Sequence, residues 1–132
     1  MDIKLSKTDN KLNPDLFNGI AKNAAEEVAR GGDRVNKSTQ LRKFYDEIVL
    51  WDNKVLRHPK KMHLEKFDEY LPFIQMLNAK VAYAEGRKLV DPNFVSLLNT
   101  GLKQVKCPET LHTFKLFMEA FMGFYKQVRP KD

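Results

Sequence analysis

The sequence predicts an all-α, single-domain bundle of about five helices, and three observations carry that reading. Apolar residues recur at i, i+3, i+4 and i+7 in successive segments, the periodicity of one helical face. Proline, glycine and short polar residues fall between these segments, where helices start and stop. No run of five or more residues alternates between apolar and polar, and the β-branched residues sit inside the helical patterns. With 132 residues, 42% of them hydrophobic, the chain is the size of one domain and can bury a real core.

The first helix follows Asn13-Pro14, read as a cap and a proline at the first helical position, and carries Leu16, Phe17, Ile20, Ala24 and Val28 until Gly31-Gly32 stops it. Ser38 or Thr39 is the expected cap of the second, whose stripe of Leu41, Phe44, Tyr45, Ile48, Trp51, Val55 and Leu56 ends before His58-Pro59. The third runs from about Lys61 to Arg87. Pro72 lies inside it, and a proline there loses a hydrogen bond and crowds the carbonyl four residues back, so a kink or break is expected near residues 68–71. Asp91-Pro92 repeats the cap-plus-proline signal and opens a short helix with Val95, Leu98 and Leu102. Pro108-Glu109-Thr110 starts the last, which extends to about Val128. Leu111, Phe114, Phe117, Met118, Phe121, Met122, Phe124 and Tyr125 make that helix apolar over more than one face, which predicts a place in the core or against another subunit. Residues 1–12 and 129–132 read as loose ends of the domain spanning 1–132.

Cys107 is the sole cysteine, so no internal disulfide forms, and the first ten residues lack the apolar run of a signal peptide. Both features predict a reducing, cytoplasmic setting. No segment approaches the ~20 apolar residues of a membrane span, and no membrane partner is expected. The formal charge of +6 favours an anionic partner, of which nucleic acid is the commonest large one. The charge is also clustered. Arg30, Arg34, Lys37, Arg42 and Lys43 face the single acid Asp33 in their stretch, and Lys54, Arg57, Lys60 and Lys61 meet none. These groups bracket the second helix. Arg42 and Lys43 lie near its N-terminus, where free N–H groups and the dipole favour acids by ~0.3–1 kcal/mol each. Pairing with Asp46 and Glu47 one turn on offsets this locally; a docked anion would use it.

Chemistry-bearing constellations are missing. His58, His63 and His112 have no i,i+4 partner and no cysteine nearby, and no metal or cofactor is expected. Cys107 precedes the last helix without a histidine close in sequence and reads as an ordinary loop thiol. Gly31-Gly32 and Gly86-Arg87-Lys88 fit no phosphate-binding loop. The chain is read as a non-enzyme.

Three stretches carry a family resemblance: STQLRKFY at 38–45, LNAKVAYAEGRK at 77–88 and ETLHTFKLFMEAFMGFYK at 109–126. Their order and approximate spacing resemble the small helical subunit of type III-A CRISPR effector complexes, the Csm complex, over residues 38–128. The matched features are a Ser/Thr-Gln-x-Arg helix start, a Tyr-x-x-Gly-Arg helix end at Tyr83, Gly86 and Arg87, and the run Phe117-Met118-Glu119-Ala120. Pro72 inside the long helix departs from the pattern.

The resemblance implies a non-catalytic subunit that stacks in several copies beside the subunits holding the guide RNA. It implies that target RNA lies along this filament in antiviral interference, with cleavage and cyclic oligoadenylate synthesis left to other subunits. Partners would then be target RNA, the guide-RNA-containing complex, neighbouring copies and, for the isolated protein, a second copy in a homodimer. A filament serving every target reads phosphates rather than bases. On the matched motifs that role falls to Arg42, Lys43, Arg87 and Lys80; Arg34, Lys37, Lys54 and Lys60 are candidates from charge alone. Arg87 has a local explanation too, since a cation past a helix C-terminus satisfies its last carbonyls. Two rival classes are a helical DNA-binding regulator, which needs a polar recognition helix, and a homodimeric scaffold without nucleic-acid binding, which needs no basic clusters.

Overall fold

Each helix buries most of the stripe that its apolar spacing defines; Leu56, the last of the second helix's stripe, is the exception and is exposed. The computed structural model of the protein describes residues 2–129. A wide π-turn, Leu16–Ile20, leads without interruption into α1, Ala21–Ala29; α2 is Ser38–Leu56, α3 His63–Gly86, α4 Pro92–Lys103 and α5 Pro108–Val128. A short 3₁₀ turn, Lys60–Met62, joins α2 to α3. Among the described residues no strand forms; the one β-type feature is an isolated bridge between Thr8 and Lys11.

α5 is the central element. It packs on α1 and α2, while α3 packs on α2 and α4, and α4 touches α1. Leu111, Phe114, Phe117, Met118, Phe121 and Tyr125 are all buried within the chain. The aromatic helix therefore needs no second subunit to cover it. The Phe121 ring stacks on Tyr125 with centroids 5.4 Å apart and meets Phe94 at 6.4 Å. Phe114 lies against Gly101, where an added Cβ would sit 2.1 Å from a ring carbon.

Three element boundaries differ from the sequence reading. Asn13 does not cap the first helix; its Oδ1 accepts from the Asp15 amide at 2.9 Å, and Asp15 is the cap, its carboxylate accepting from Gly19 at 3.2 Å. Pro14 consequently lies outside the helix. That carboxylate folds over Gly19, where a Cβ would fall 2.3 Å from Oδ2. Neither Ser38 nor Thr39 caps α2: the cap position is Lys37, extended at φ −63° and ψ 142°, and it makes no side-chain capping bond. α3 runs unbroken through Pro72. Both Pro72 and Asp68, whose carbonyl the proline deprives of its donor, are exposed, so water can satisfy that group.

The N-terminal segment is not loose. Ile3 and Leu5 belong to the core, and Gln104 clamps the strand of chain between them. Its Nε2 donates to the Ile3 carbonyl at 2.6 Å, and its Oε1 accepts from the Leu5 amide at 2.7 Å. At the other end, Arg129 Nη1 donates to the Val35 carbonyl at 2.8 Å. Residues 130–132, also read as loose, lie outside the described residues.

Asn36, fully buried with φ 57°, ties the bundle together. Its Nδ2 donates to the Val28 carbonyl at 3.1 Å and to Asp91 Oδ1 at 2.8 Å, and its Oδ1 accepts from the Asp91 amide at 3.0 Å. Its own amide donates to the Leu89 carbonyl at 3.0 Å, and its carbonyl accepts from the Tyr125 hydroxyl and from Arg129. Asp91 simultaneously caps α4, accepting from the Phe94 amide at 3.1 Å. A second polar link, from partly exposed His112 Nδ1 to buried Asp52 Oδ2 at 3.0 Å, joins α5 to α2.

Two stability predictions follow from this packing. Phe121→Ala should cost ~3–5 kcal/mol in a denaturant melt without changing the association state, because the ring is in the intramolecular core; a parent-like melt would remove Phe121 from it. Asn36→Ala loses the hydrogen bonds and also places a Cβ-bearing apolar residue in the left-handed region, a strain of ~1–2 kcal/mol that glycine escapes. Asn36→Gly should therefore be about 1 kcal/mol less damaging than Asn36→Ala, and equal losses would show that the backbone conformation carries no cost.

Candidate nucleic-acid interface

The antiparallel neighbours α2 and α3 set the geometry of the basic surface. A groove of about 400 Å³ lies between the first half of α2 and the last turns of α3, lined by Gln40, Lys43, Phe44, Glu47, Lys80, Tyr83, Ala84, Arg87 and Leu89. Lys43, Lys80 and Arg87 thus meet around one hollow, although 44 positions separate the first from the last. Phe44 and Ala84 are the buried residues of its lining. The Arg87 guanidinium stands 5.8 Å from the centroid of the Tyr83 ring.

Glu47 is the carboxylate among these cations. It was expected to pair with Lys43 one turn earlier; instead it accepts from Lys80 Nζ at 2.7 Å, and more distantly from Trp51 Nε1 at 3.5 Å. That pair fixes α3 to α2 and leaves Lys43 without its local partner. Lys80 is half exposed in the pair, so its charge remains accessible to an anion.

Arg42, one residue along the helix from Lys43, turns to the other side. It borders a separate hollow of about 320 Å³ with Ser38, Thr39, Met122 and Lys126. Its Nε is 4.0 Å from Asp46, the expected i,i+4 pair at its longest useful separation, with both side chains exposed. The guanidinium lies 6.0 Å from the Tyr45 ring. Burial, and after it the Glu119 carboxylate, raise the Tyr45 hydroxyl above its ordinary value of 10.0, so this ring stays neutral and suits a cation–π contact.

The remaining candidates are not brought together with these. Arg34 and Lys37 are exposed on the segment leading into α2. Lys54 is roughly 16 Å further along α2 than Lys43, at 1.5 Å per residue, and its Nζ lies 5.6 Å from the Trp51 ring. Lys60 is exposed in the 3₁₀ turn beyond. The basic surface is therefore one three-cation groove with satellites at both ends of α2.

Two features of this surface have no local signal in the sequence. The Glu47–Lys80 bridge spans 33 positions. The exposed aromatic rings Tyr83 and Phe73, at 67% and 53%, lie off the apolar stripe of α3, and nothing near them in sequence shows that the rings of α2 and the groove cations gather beside them. The histidines serve other contacts: His58 Nε2 is 3.0 Å from the Tyr70 hydroxyl, and His63 Nε2 is 2.8 Å from the His58 carbonyl. Among the described residues no cluster of three His, Cys, Asp or Glu is placed to hold a metal, and no helix is long and apolar enough to cross a membrane.

The chain matches no curated protein and no solved structure. A family model described as Csm2 Type III-A matches it over residues 11–131. That span takes in α1 through α5, including the π-turn and α1 that precede the three stretches of sequence resemblance. The chain belongs to the Csm2 Type III-A family and is a small subunit of the type III-A CRISPR Csm effector complex.

Proposed function

We propose that this subunit acts without catalysis, binding the sugar–phosphate backbone of target RNA independently of sequence while several copies stack within the cytoplasmic effector complex. The observation that carries this reading is the convergence of Lys43, Lys80 and Arg87 on one open groove. Lysine ammonium groups are compact charges with rotatable donors, suited to phosphate oxygens along a strand rather than to a fixed base edge. Arg87 adds a forked donor that can hold one phosphate with two hydrogen bonds. Arg42 extends the positive surface around α2, and Arg34, Lys37, Lys54 and Lys60 lengthen it at the helix ends. These outer charges would steer a polyanion towards the groove more than grip it.

A DNA-reading regulator is less well supported. Its recognition helix must be polar and project from the domain, whereas α5 is spent on the core and the exposed face of α3 carries apolar rings. A scaffold role drew its support from the aromatic last helix, and that helix is covered within the chain.

Each phosphate neutralised on a single strand contributes about 0.7 to the slope of log affinity against log salt. The double variant Lys43→Ala/Arg87→Ala should flatten that slope by up to about 1.4, weaken two unrelated RNAs alike and leave the melt within about 1 kcal/mol of the parent. The titration is best made in the assembled complex, where copies add. An unchanged slope, or a loss confined to one RNA sequence, contradicts backbone binding at this groove.

A further inference from the structure

The outward face of α3 carries more than charge. Phe73, Met76, Lys80, Tyr83 and Arg87 fall within an arc of roughly 80° at about 100° per residue. Tyr83 is 67% exposed and Phe73 53%. Exposed aromatic rings are costly to leave in water, and single-strand binding proteins pair such rings with lysine and arginine.

The rings are held in place. Phe73 stacks on Trp51 across the helix pair, with centroids 6.0 Å apart and planes 17° from parallel. Lys54 stands over the same indole, and Arg87 over Tyr83. Tyr83 thus has a cation over it and Phe73 has one over the indole it stacks on, each placed to meet a phosphate when the ring meets a base.

Resting on the RNA-binding reading above, we propose that Tyr83 and Phe73 are stacking platforms for unpaired bases of the bound RNA, so that the α2–α3 face grips bases as well as backbone without reading sequence. Every base offers a π-face, so stacking is indifferent to identity. The rings are ten residues apart on α3, about 15 Å along its axis. Stacked neighbours in a nucleic-acid strand are only about 3.4 Å apart, so the two rings engage non-consecutive bases. Charge favours RNA over a protein as the occupant. The face presents Lys43, Lys54 and Lys80, and lysine is depleted from protein–protein interfaces, while its one groove carboxylate, Glu47, is bound by Lys80.

Trp51, the single tryptophan, reports on Phe73. Full-length protein is titrated with an unstructured oligouridine and with a fully paired RNA duplex of equal length at one salt concentration. Indole fluorescence should change with the single strand and not with the duplex, whose bases are already stacked. Tyr83→Leu and Phe73→Leu, which keep an apolar side chain but remove the ring, should each weaken single-strand binding by roughly 5- to 150-fold with an unchanged salt slope. Tyr83→Phe should bind like the parent. Parent-like binding by both leucine variants, while Lys43→Ala/Arg87→Ala still flattens the slope, overturns stacking and leaves the backbone reading standing. If neither RNA binds the parent at any salt tested, both readings fall. Loss of co-purification with the other Csm subunits by Tyr83→Leu, with RNA binding intact, makes this a protein-docking face and overturns the proposal.

Discussion

The bundle depends on one residue turning the chain at the right place. Asn36 sits in the left-handed region between α1 and α2, and every polar atom it has is engaged, together reaching four separate parts of the fold. Its bonds hold the end of α1, the cap of α4, the link after α3 and the end of α5 within one hydrogen-bond length of the start of α2. A buried asparagine stripped of these partners would cost ~1–3 kcal/mol per unsatisfied group, so the network is either complete or destabilising. Glycine at position 31 keeps the arrangement closed, since a Cβ there would lie 2.4 Å from Asp91 Oδ2. The same network sets the direction in which α2 departs. Arg42 and Lys43 are placed on opposite flanks by that direction and by the burial of Leu41 and Phe44.

The functional surface is then a consequence of helix pairing. α2 is anchored from beneath by α5, through apolar packing and the His112–Asp52 pair, and from the side by α3. Burying Phe44, Ile48 and Val55 leaves the intervening positions of α2 to water, and burying Ile74, Leu77, Val81 and Ala84 does the same for α3. Where these two solvent faces adjoin, cations and rings accumulate side by side. The Glu47–Lys80 bridge crosses the join and fixes where the two helices meet; with Lys80 half exposed, its contribution is that of a surface pair, ~0–1 kcal/mol.

Much of this was legible in the sequence where the controlling interaction is local. Asp91-Pro92 does cap α4, and α5 begins at Pro108, where Thr110 Oγ1 accepts from the Cys107 amide at 3.1 Å. The apolar stripes named most of the core, but Leu56 at the end of the α2 stripe is exposed, and in α4 the buried Phe94 and Leu97 fall outside the stripe read as Val95, Leu98 and Leu102. What failed was set by distant partners. The one local exception is Asn13, a plausible cap until Asp15 and Gly19 formed a wider turn. Ser38 and Thr39 were plausible caps until Asn36, held by Val28, Asp91 and Tyr125, carried the chain into the helix through an extended Lys37. The first residues looked loose because Gln104, some hundred positions away, is what pins them. The eight basic candidates were equally visible as charges, but only the fold sorts Lys43, Lys80 and Arg87 into one groove and places Arg42 on the opposite flank. Periodicity left Phe73 and Tyr83 of α3 off the buried stripe, but only the fold sets Phe73 on Trp51 and Tyr83 at the groove with Lys43 and Lys80.

The central claim is that the α2–α3 groove, built by this constraint, is where RNA lies. A residue-resolved map of amide chemical-shift changes, recorded on the isotopically labelled protein during titration with unstructured RNA, addresses it most directly. The account predicts changes concentrated at residues 40–47 and 80–89, fading with added salt and nearly the same for unrelated sequences. Changes centred on α1 or α4, with the groove silent, would contradict it.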